Sequence, residues 1–200
     1  VRQIEEYYAQ CELEGANEHQ VEESQKAVAK MEVIIGDPDR LRAVAEDFIK
    51  HYETRVAEGA TVAGKAMFVC SNRNIAYDFY KIVKELRPEW TEKKICDDGV
   101  VLSEKDKKEL KPMEKIKLVM TRNKDDEKDL FDMLGTKEDR KEFDRQFKNP
   151  KSNFKIAIVV DMWLTGFDVP ELDTIYIDKP IQQHTLIQTI SRVNRVCEGK

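Results

Sequence analysis

The stretch IAIVVDMWLTGFDVP, residues 156–170, decides the fold class of this chain. Residues 156–160 are all apolar and mostly β-branched, which is typical of a strand buried on both faces of a parallel sheet. In the loop that follows, Thr165 can meet a phosphate, Gly166 permits a sharp turn, and Asp168 can accept hydrogen bonds from an arginine or a ribose. Open parallel sheets bind ligands beyond the carboxyl ends of their strands, so this loop is a candidate binding segment.

Alternating strands and helices extend outward from this stretch. The apolar runs predict strands over residues 66–70, 99–102, 116–120, 156–160 and 174–177. Helical patterns lie between them: one capped by Ser71 and ended by Pro88, charged segments running to about Phe147, and a last helix over residues 183–196. This alternation predicts an α/β fold in which a parallel sheet is covered by helices on both faces.

The first part of the chain has a helical pattern instead. Residues 1–35 carry apolar stripes at helical spacing, and Asp37-Pro38 is an N-cap followed by a proline at the first helical position. The apolar spacing then holds one helix face to about residue 57. We therefore expect an N-terminal helical segment before the sheet.

The loop GATVAGK, residues 59–65, nearly spells the phosphate-binding loop of nucleotide hydrolases. That loop requires a strand before it and a helix after it, because the helix N-terminus binds the phosphate. Here the predicted order is reversed, and Ala66 stands where a magnesium-binding serine or threonine is needed. We interpret this segment as a helix-to-strand loop.

Composition sets limits on the function. The net charge of −5 argues against a generally basic nucleic-acid-binding surface, although a narrow basic track remains compatible with it. The four cysteines and three histidines do not have the spacing of metal ligands, which predicts reduced thiols and no metal site. No apolar run is long enough for a membrane helix, and we expect a cytoplasmic protein without a membrane partner.

The last predicted helix presents a polar face. Gln188, Arg192 and Arg195 are spaced by four and three residues, which places them on one side of the helix. Guanidinium groups suit the oxygens of a phosphoryl group in transfer. An exposed face with ordinary ion pairs explains this helix by itself equally well.

Two of these segments together resemble a known family. Residues 161–170 and 184–195 resemble motifs V and VI of superfamily 2 helicases, and they are most similar to the corresponding runs in R subunits of type I restriction enzymes. Residues 65–73 resemble motif IV, and residues 115–126 resemble the next strand and turn of the family. General helicases have Arg-Gly where this chain has Thr165-Gly166, a departure that matches the type I subunits.

The resemblance implies a RecA-like fold and a division of the chain. Residues 1–58 would be a helical extension or linker from the preceding motor domain, and residues 59–200 the second RecA-like domain, truncated at its C-terminus. ATP and Mg2+ would be bound mainly by the first RecA-like domain, which this chain lacks. The full-length protein would be an ATP-dependent endonuclease and translocase, and this chain alone would be inactive.

The resemblance also implies roles for individual residues. Arg195 matches the arginine finger, Arg192 and Gln188 match its nucleotide-sensing partners, and Gly166 and Asp168 match the residues that couple nucleotide to DNA. The matching candidates for contacts to the DNA phosphate backbone are Ser71, Asn72, Arg73, Thr121, Arg122 and Thr165. Such contacts carry position rather than sequence.

The implied partners are double-stranded DNA and the modification and specificity subunits of a restriction complex. Two alternatives stay open at this point. The chain could belong to another superfamily 2 motor that acts on RNA or in repair, or it could be a non-catalytic α/β interaction module.

Overall fold

A four-stranded parallel sheet forms the centre of the part of the chain that the computed structural model describes. That part comprises residues 26, 29–61, 63–163, 168–180, 187, 189 and 191. The strands are β1 (Lys65–Cys70), β2 (Ile116–Leu118), β3 (Ile156–Val159) and β4 (Leu172–Asp178). Their order across the sheet is β2-β3-β1-β4, and every adjacent pair is parallel.

The helices are α1 (Pro38–Ala57), α2 (Arg73–Leu86), α3 (Glu104–Glu109), α4 (Lys128–Leu134) and α5 (Lys137–Lys148). A 3-10 turn at Pro88–Thr91 follows α2, and residues 29–35 are also helical. The predicted N-cap of α1 is confirmed, because the Asp37 side chain accepts a hydrogen bond from the Arg40 backbone N–H at 2.9 Å. The bounds of α1 agree with the apolar spacing of the sequence.

Two apolar cores lie on opposite faces of the sheet. Phe68 and Ile158 contribute to one core, whereas their chain neighbours Val69 and Val159 contribute to the other. Successive residues of a strand point to opposite faces, so this division follows from the geometry of β1 and β3. Helices α1, α2 and α4 supply buried residues to the first core and α5 to the second. The predicted α/β fold with helices on both faces is confirmed.

The first core joins α1 to the sheet through aromatic rings. The ring centroid of Phe48 lies 5.2 Å from that of Phe68 in β1 and 4.8 Å from that of Tyr176 in β4. Trp90, in the turn after α2, lies 6.3 Å from Phe48 in an edge-on arrangement. Edge-to-face pairs of this kind add to the stabilisation that burial provides.

Several local predictions were wrong in detail. Residues 99–102 do not form a strand: Gly99 has a φ of +83°, and Val101 is 86% exposed. Asn72, rather than Ser71, caps α2, because the Asn72 side chain accepts from the Ile75 backbone N–H at 3.0 Å.

Other bounds differ by a few residues. β2 ends at Leu118 instead of residue 120, although the Val119 backbone N–H still donates to the Ile158 carbonyl at 2.8 Å. β4 is longer than the predicted 174–177. Helix α1 ends at Ala57 and β1 begins at Lys65, which confirms the predicted order of a helix before a strand. In the predicted helical segment 1–35, residues 1–25, 27 and 28 lie outside the described residues, and so does most of the predicted helix 183–196. The domain boundary at residue 58 stays a prediction.

Candidate functional site

The loops after β1 and β2 are joined at the carboxyl edge of the sheet by Arg73. This arginine starts α2, and its Nη1 donates to the Thr121 carbonyl oxygen at 2.6 Å. Its Nη2 donates to both carboxylate oxygens of Asp126, at 2.5 and 2.7 Å. Because β3 lies between β1 and β2, these bonds bridge the end of the middle strand. The geometry therefore brings together two segments that are about fifty residues apart in the chain.

Asp126 is the acceptor that organises the second loop. Its side chain is only 6% exposed, and besides Arg73 it accepts a hydrogen bond from the Asn123 backbone N–H at 2.6 Å. Sequence reasoning did not single out Asp126. The available signal was its position three residues after Asn123, a spacing at which a short carboxylate binds the backbone of its own turn.

Arg122 holds the same loop from the other side. Its Nε donates to the Phe131 carbonyl oxygen at 2.7 Å, and its guanidinium lies 4.3 Å from the centre of the Phe131 ring. Phe131 belongs to α4, so Arg122 ties the loop after β2 to the following helix. Thr121 and Asn123, on either side of Arg122, are exposed.

Ser71 and Asn72 complete the predicted set of residues on the loop after β1. The Asn72 side-chain oxygen is used as the cap of α2. The Ser71 Oγ is buried and has no hydrogen-bond partner among the described residues. An unpaired buried hydroxyl is costly, so Ser71 Oγ is a polar group at this edge whose bonding is incomplete.

Residues at the carboxyl ends of β3 and β4 also form ion pairs. Lys179 Nζ donates to the Val160 carbonyl at 3.3 Å and to the Asp161 carboxylate at 2.8 Å. Arg40 of α1 forms a two-pronged pair with Asp178, and its hydrogen bond to that carboxylate raises the pKa of Arg40. Sequence reasoning missed these pairs, since each joins residues distant in the chain.

Cys70, the last residue of β1, is buried at the same edge. Burial raises the pKa of its thiol well above the usual range, which disfavours the thiolate form that acts as a nucleophile. Within the described ranges there is also no group of three or more histidine, cysteine, aspartate or glutamate residues placed to hold a metal ion.

The structure thus gathers five of the predicted DNA-contact residues at one edge: Ser71, Asn72, Arg73, Thr121 and Arg122. Asp168 is exposed in the segment between β3 and β4. The remaining predicted site residues, Thr165, Gly166, Gln188, Arg192 and Arg195, lie outside the described residues. No helix in the described part of the chain is long and apolar enough to span a membrane.

Comparison with known proteins gives a consistent match. The family model described as type I restriction enzyme subunit R domain 3 matches residues 62–200. The type I restriction enzyme HindI endonuclease subunit of Haemophilus influenzae is 36% identical over 179 residues, which cover 90% of this chain and 15% of that protein. The putative MjaIXP endonuclease subunit of Methanocaldococcus jannaschii is 38% identical over 187 residues, 92% of this chain and 15% of that protein. The chain therefore spans about 15% of the length of these two relatives.

Proposed function

Since this chain belongs to the family of domain 3 of type I restriction enzyme R subunits, we propose that it is the second RecA-like half of an ATP-dependent DNA translocase in a restriction-modification system. ATP and Mg2+ would be held mainly by the first RecA-like domain, which supplies the phosphate loop. Hydrolysis would occur in the cleft between the two halves, and opening and closing of that cleft would step the DNA.

The observation that carries this proposal is the meeting of the loops after β1 and β2 at the carboxyl edge of a parallel sheet. Ligands of open α/β sheets bind at this edge. Both loops belong to segments of the chain that match the family, and Arg73 fixes their spacing through Thr121 and Asp126. A fixed spacing is what a track of phosphate contacts requires, because phosphates repeat along a duplex at regular intervals.

According to these contacts, some of the proposed DNA-binding residues would contact a phosphate and others would support the loop. Thr121 has an exposed side chain that can donate to a phosphate oxygen. Arg73 is about a third exposed, so it can reach a phosphate while Asp126 holds it in place. Arg122 is engaged by Phe131 and is best suited to supporting the loop. In a chain of net charge −5, DNA affinity would have to come from such a local arrangement.

The nucleotide-facing roles rest on the family match. Arg195 would act as the arginine finger and stabilise the charge that develops on the transferred phosphoryl group. Arg192 and Gln188 would sense the nucleotide, and Gly166, Asp168 and Thr165 would couple it to the DNA. The modification and specificity subunits and double-stranded DNA would be the partners.

The test is the ATPase activity of the full-length subunit, assembled with its modification and specificity subunits on DNA. We expect Arg195→Ala to lower turnover by about a thousandfold with ATP binding retained. The matched control is Arg42→Ala, which removes an exposed arginine on α1 that pairs with Glu85, and turnover should not change. Equal turnover of the Arg195 variant and the wild type would contradict the proposal and favour a non-catalytic interaction module.

The nucleic acid that stimulates hydrolysis distinguishes the proposal from another superfamily 2 motor. We expect double-stranded DNA to stimulate the ATPase of the assembled complex, and RNA to have no effect. Stimulation by RNA instead would reject the DNA translocase in favour of an RNA-directed motor.

A further inference from the structure

A lysine lies at, or just before, the first residue of three neighbouring strands. Lys65 is the first residue of β1, while Lys155 and Lys115 immediately precede β3 and β2. The following residues Ala66, Ile156 and Ile116 are register partners. The backbone continues this alignment, because the Ala66 N–H donates to the Lys155 carbonyl and the Ile156 N–H to the Lys115 carbonyl, both at 2.9 Å. Together Lys65, Lys155 and Lys115 form a lysine row at the amino edge of the sheet, opposite the site described above.

Two members of the lysine row are buried. Lys65 is 1% exposed and donates to the Phe154 carbonyl at 2.6 Å. Lys155 is 5% exposed and donates to the Pro150 carbonyl at 2.8 Å. Burial lowers the pKa of both lysines. A buried ammonium group is unfavourable unless an anion offsets it. The burial of Lys65 and Lys155 therefore lowers the stability of the folded chain unless an anion lies nearby.

The positive charge of the lysine row has few carboxylate partners in the described part of the chain. Lys155 Nζ lies 3.2 Å from the Asp97 carboxylate. Among the described residues, no other carboxylate lies within ion-pair distance of any of the three lysines. Lys115 Nζ instead faces the rings of Tyr52 and Trp90, at 5.7 Å from each centroid. Lys115 and Lys155 against this one carboxylate leave an excess of one positive charge, and Lys65 lies buried beside them.

An open cavity of about 570 Å³ lies in front of this excess charge. Its lining includes Tyr52, Gly64, Asp97, Lys115, Lys151 and Lys155. Lys151 is paired with Asp106 at 2.6 Å and Lys155 with Asp97 at 3.2 Å, so Lys115 is the lysine of this lining that has no carboxylate within ion-pair distance among the described residues. The cavity is large enough for a small phosphorylated molecule.

We propose that this cavity binds a phosphate-bearing small molecule, with Lys115 and Lys155 as its ligands and Lys65 adding positive charge from within the sheet. Lysine ammonium groups are common phosphate ligands, and a phosphate group offers three acceptor oxygens, enough for Lys115 and Lys155 to bind it together. The site differs from a phosphate-binding loop, since the wall contributed by Thr61 and Gly64 leads into a strand rather than a helix. It lies at the edge away from the proposed DNA track and does not depend on that proposal.

The test is isothermal titration of the full-length protein with inorganic phosphate and with pyrophosphate, at constant ionic strength. Lys115→Gln should weaken binding at least about tenfold, since an ammonium-to-phosphate hydrogen bond is lost at a partly buried position. Lys84→Gln, at an exposed position on α2, is the matched control and should leave the affinity unchanged. Asp97→Asn should tighten binding several-fold, because it removes the anion that competes for Lys155.

Four results would each overturn the proposal. The first is the absence of saturable phosphate or pyrophosphate binding to the wild type. The second is an equal loss in the Lys84 and Lys115 variants, which would indicate nonspecific charge attraction. The third is unchanged or weaker binding by Asp97→Asn, a measurement that does not depend on the folding of the Lys115 variant. The fourth is binding of succinate as tight as that of phosphate, which would assign the cavity to carboxylates.

Discussion

The two edges of the sheet differ in how their cations are buried and paired. At the carboxyl edge, Arg73, Arg40 and Lys179 each have a carboxylate partner, and the partner lies on a different loop or strand. At the amino edge, Lys65 and Lys155 are more deeply buried, yet Asp97 is the one carboxylate within ion-pair distance in the described part of the chain. Each of these cations at the first edge is paired with a carboxylate of another segment, whereas Lys65 and Lys115 at the second edge have none within ion-pair distance among the described residues.

Burial of a charge is therefore not itself evidence of a stabilising contact. A buried pair can cost as much in lost hydration as it gains in attraction, and it becomes strongly unfavourable only when one partner is removed. The carboxyl edge should therefore be sensitive to loss of a partner. The amino edge should be insensitive to loss of a cation, or even gain from it.

The largest expected effect is that of Arg73→Ala at the carboxyl edge. The variant leaves the Asp126 carboxylate, 6% exposed, without its cation, and we expect the free energy of unfolding to fall by about 3 kcal/mol. Urea denaturation measures this loss. In a double-mutant cycle, adding Asp126→Asn should recover part of it, because the unpaired charge is then absent. Additive losses would show that the pair does not fasten the two loops.

A smaller effect, dependent on pH, is expected for Lys65→Met at the amino edge. The variant removes a buried ammonium group, and at neutral pH its free energy of unfolding should lie within about 1 kcal/mol of the wild type or above it. Because the folded-state pKa of Lys65 is below its ordinary value of 10.5, the unfolded chain binds more protons in the intervening window. The wild type should therefore gain stability relative to the variant as pH rises from neutral toward that value.

The measurement is urea denaturation of both proteins at neutral pH and at about pH 9, below the titration of ordinary lysines and tyrosines. The difference between wild type and variant isolates Lys65 from groups that titrate in both. A constant difference across this range would mean that Lys65 is fully charged in the folded protein. The buried cation of the amino edge would then be charged in the folded protein, as the cations of the carboxyl edge are.

The smallest effect is expected for Lys179→Met. Its partner Asp161 is 80% exposed, and an exposed ion pair contributes about 0.5 kcal/mol or less. Thermal or urea unfolding should place this variant close to the wild type, in contrast to Arg73→Ala at the same edge. A loss comparable to that of Arg73→Ala would show that the carboxyl edge depends on the number of its ion pairs rather than on their burial.

Local sequence rules predicted the elements of the fold well. The start of α1 followed from Asp37 and Pro38, because both residues act through the adjacent backbone. β1 and β3 followed from short apolar runs between polar loops. The cap of α2 was wrong because Ser71 and Asn72 can both cap a helix, and the choice depends on backbone angles that the sequence does not specify.

Residues 99–102 show where local sequence rules fail. Two valines and a leucine after Gly99 have the composition of an edge strand, but a strand needs a partner whose backbone lies alongside. That partner is a property of the whole fold. The bridge between Arg73 and Asp126 depends in the same way on the order of β1, β3 and β2 in the sheet, which local patterns do not contain.

The position of the two tryptophans gives each face of the sheet its own optical probe. Trp90 is buried beside Phe48 and Tyr52 in the core that α1 covers. Trp163 stacks on Phe147, 5.3 Å between ring centroids, in the core on the other face. With Trp163→Phe, fluorescence would report on the environment of Trp90 alone, and Trp90→Phe would isolate the signal beside α5. The loosening of one layer could then be followed in time without interference from the other.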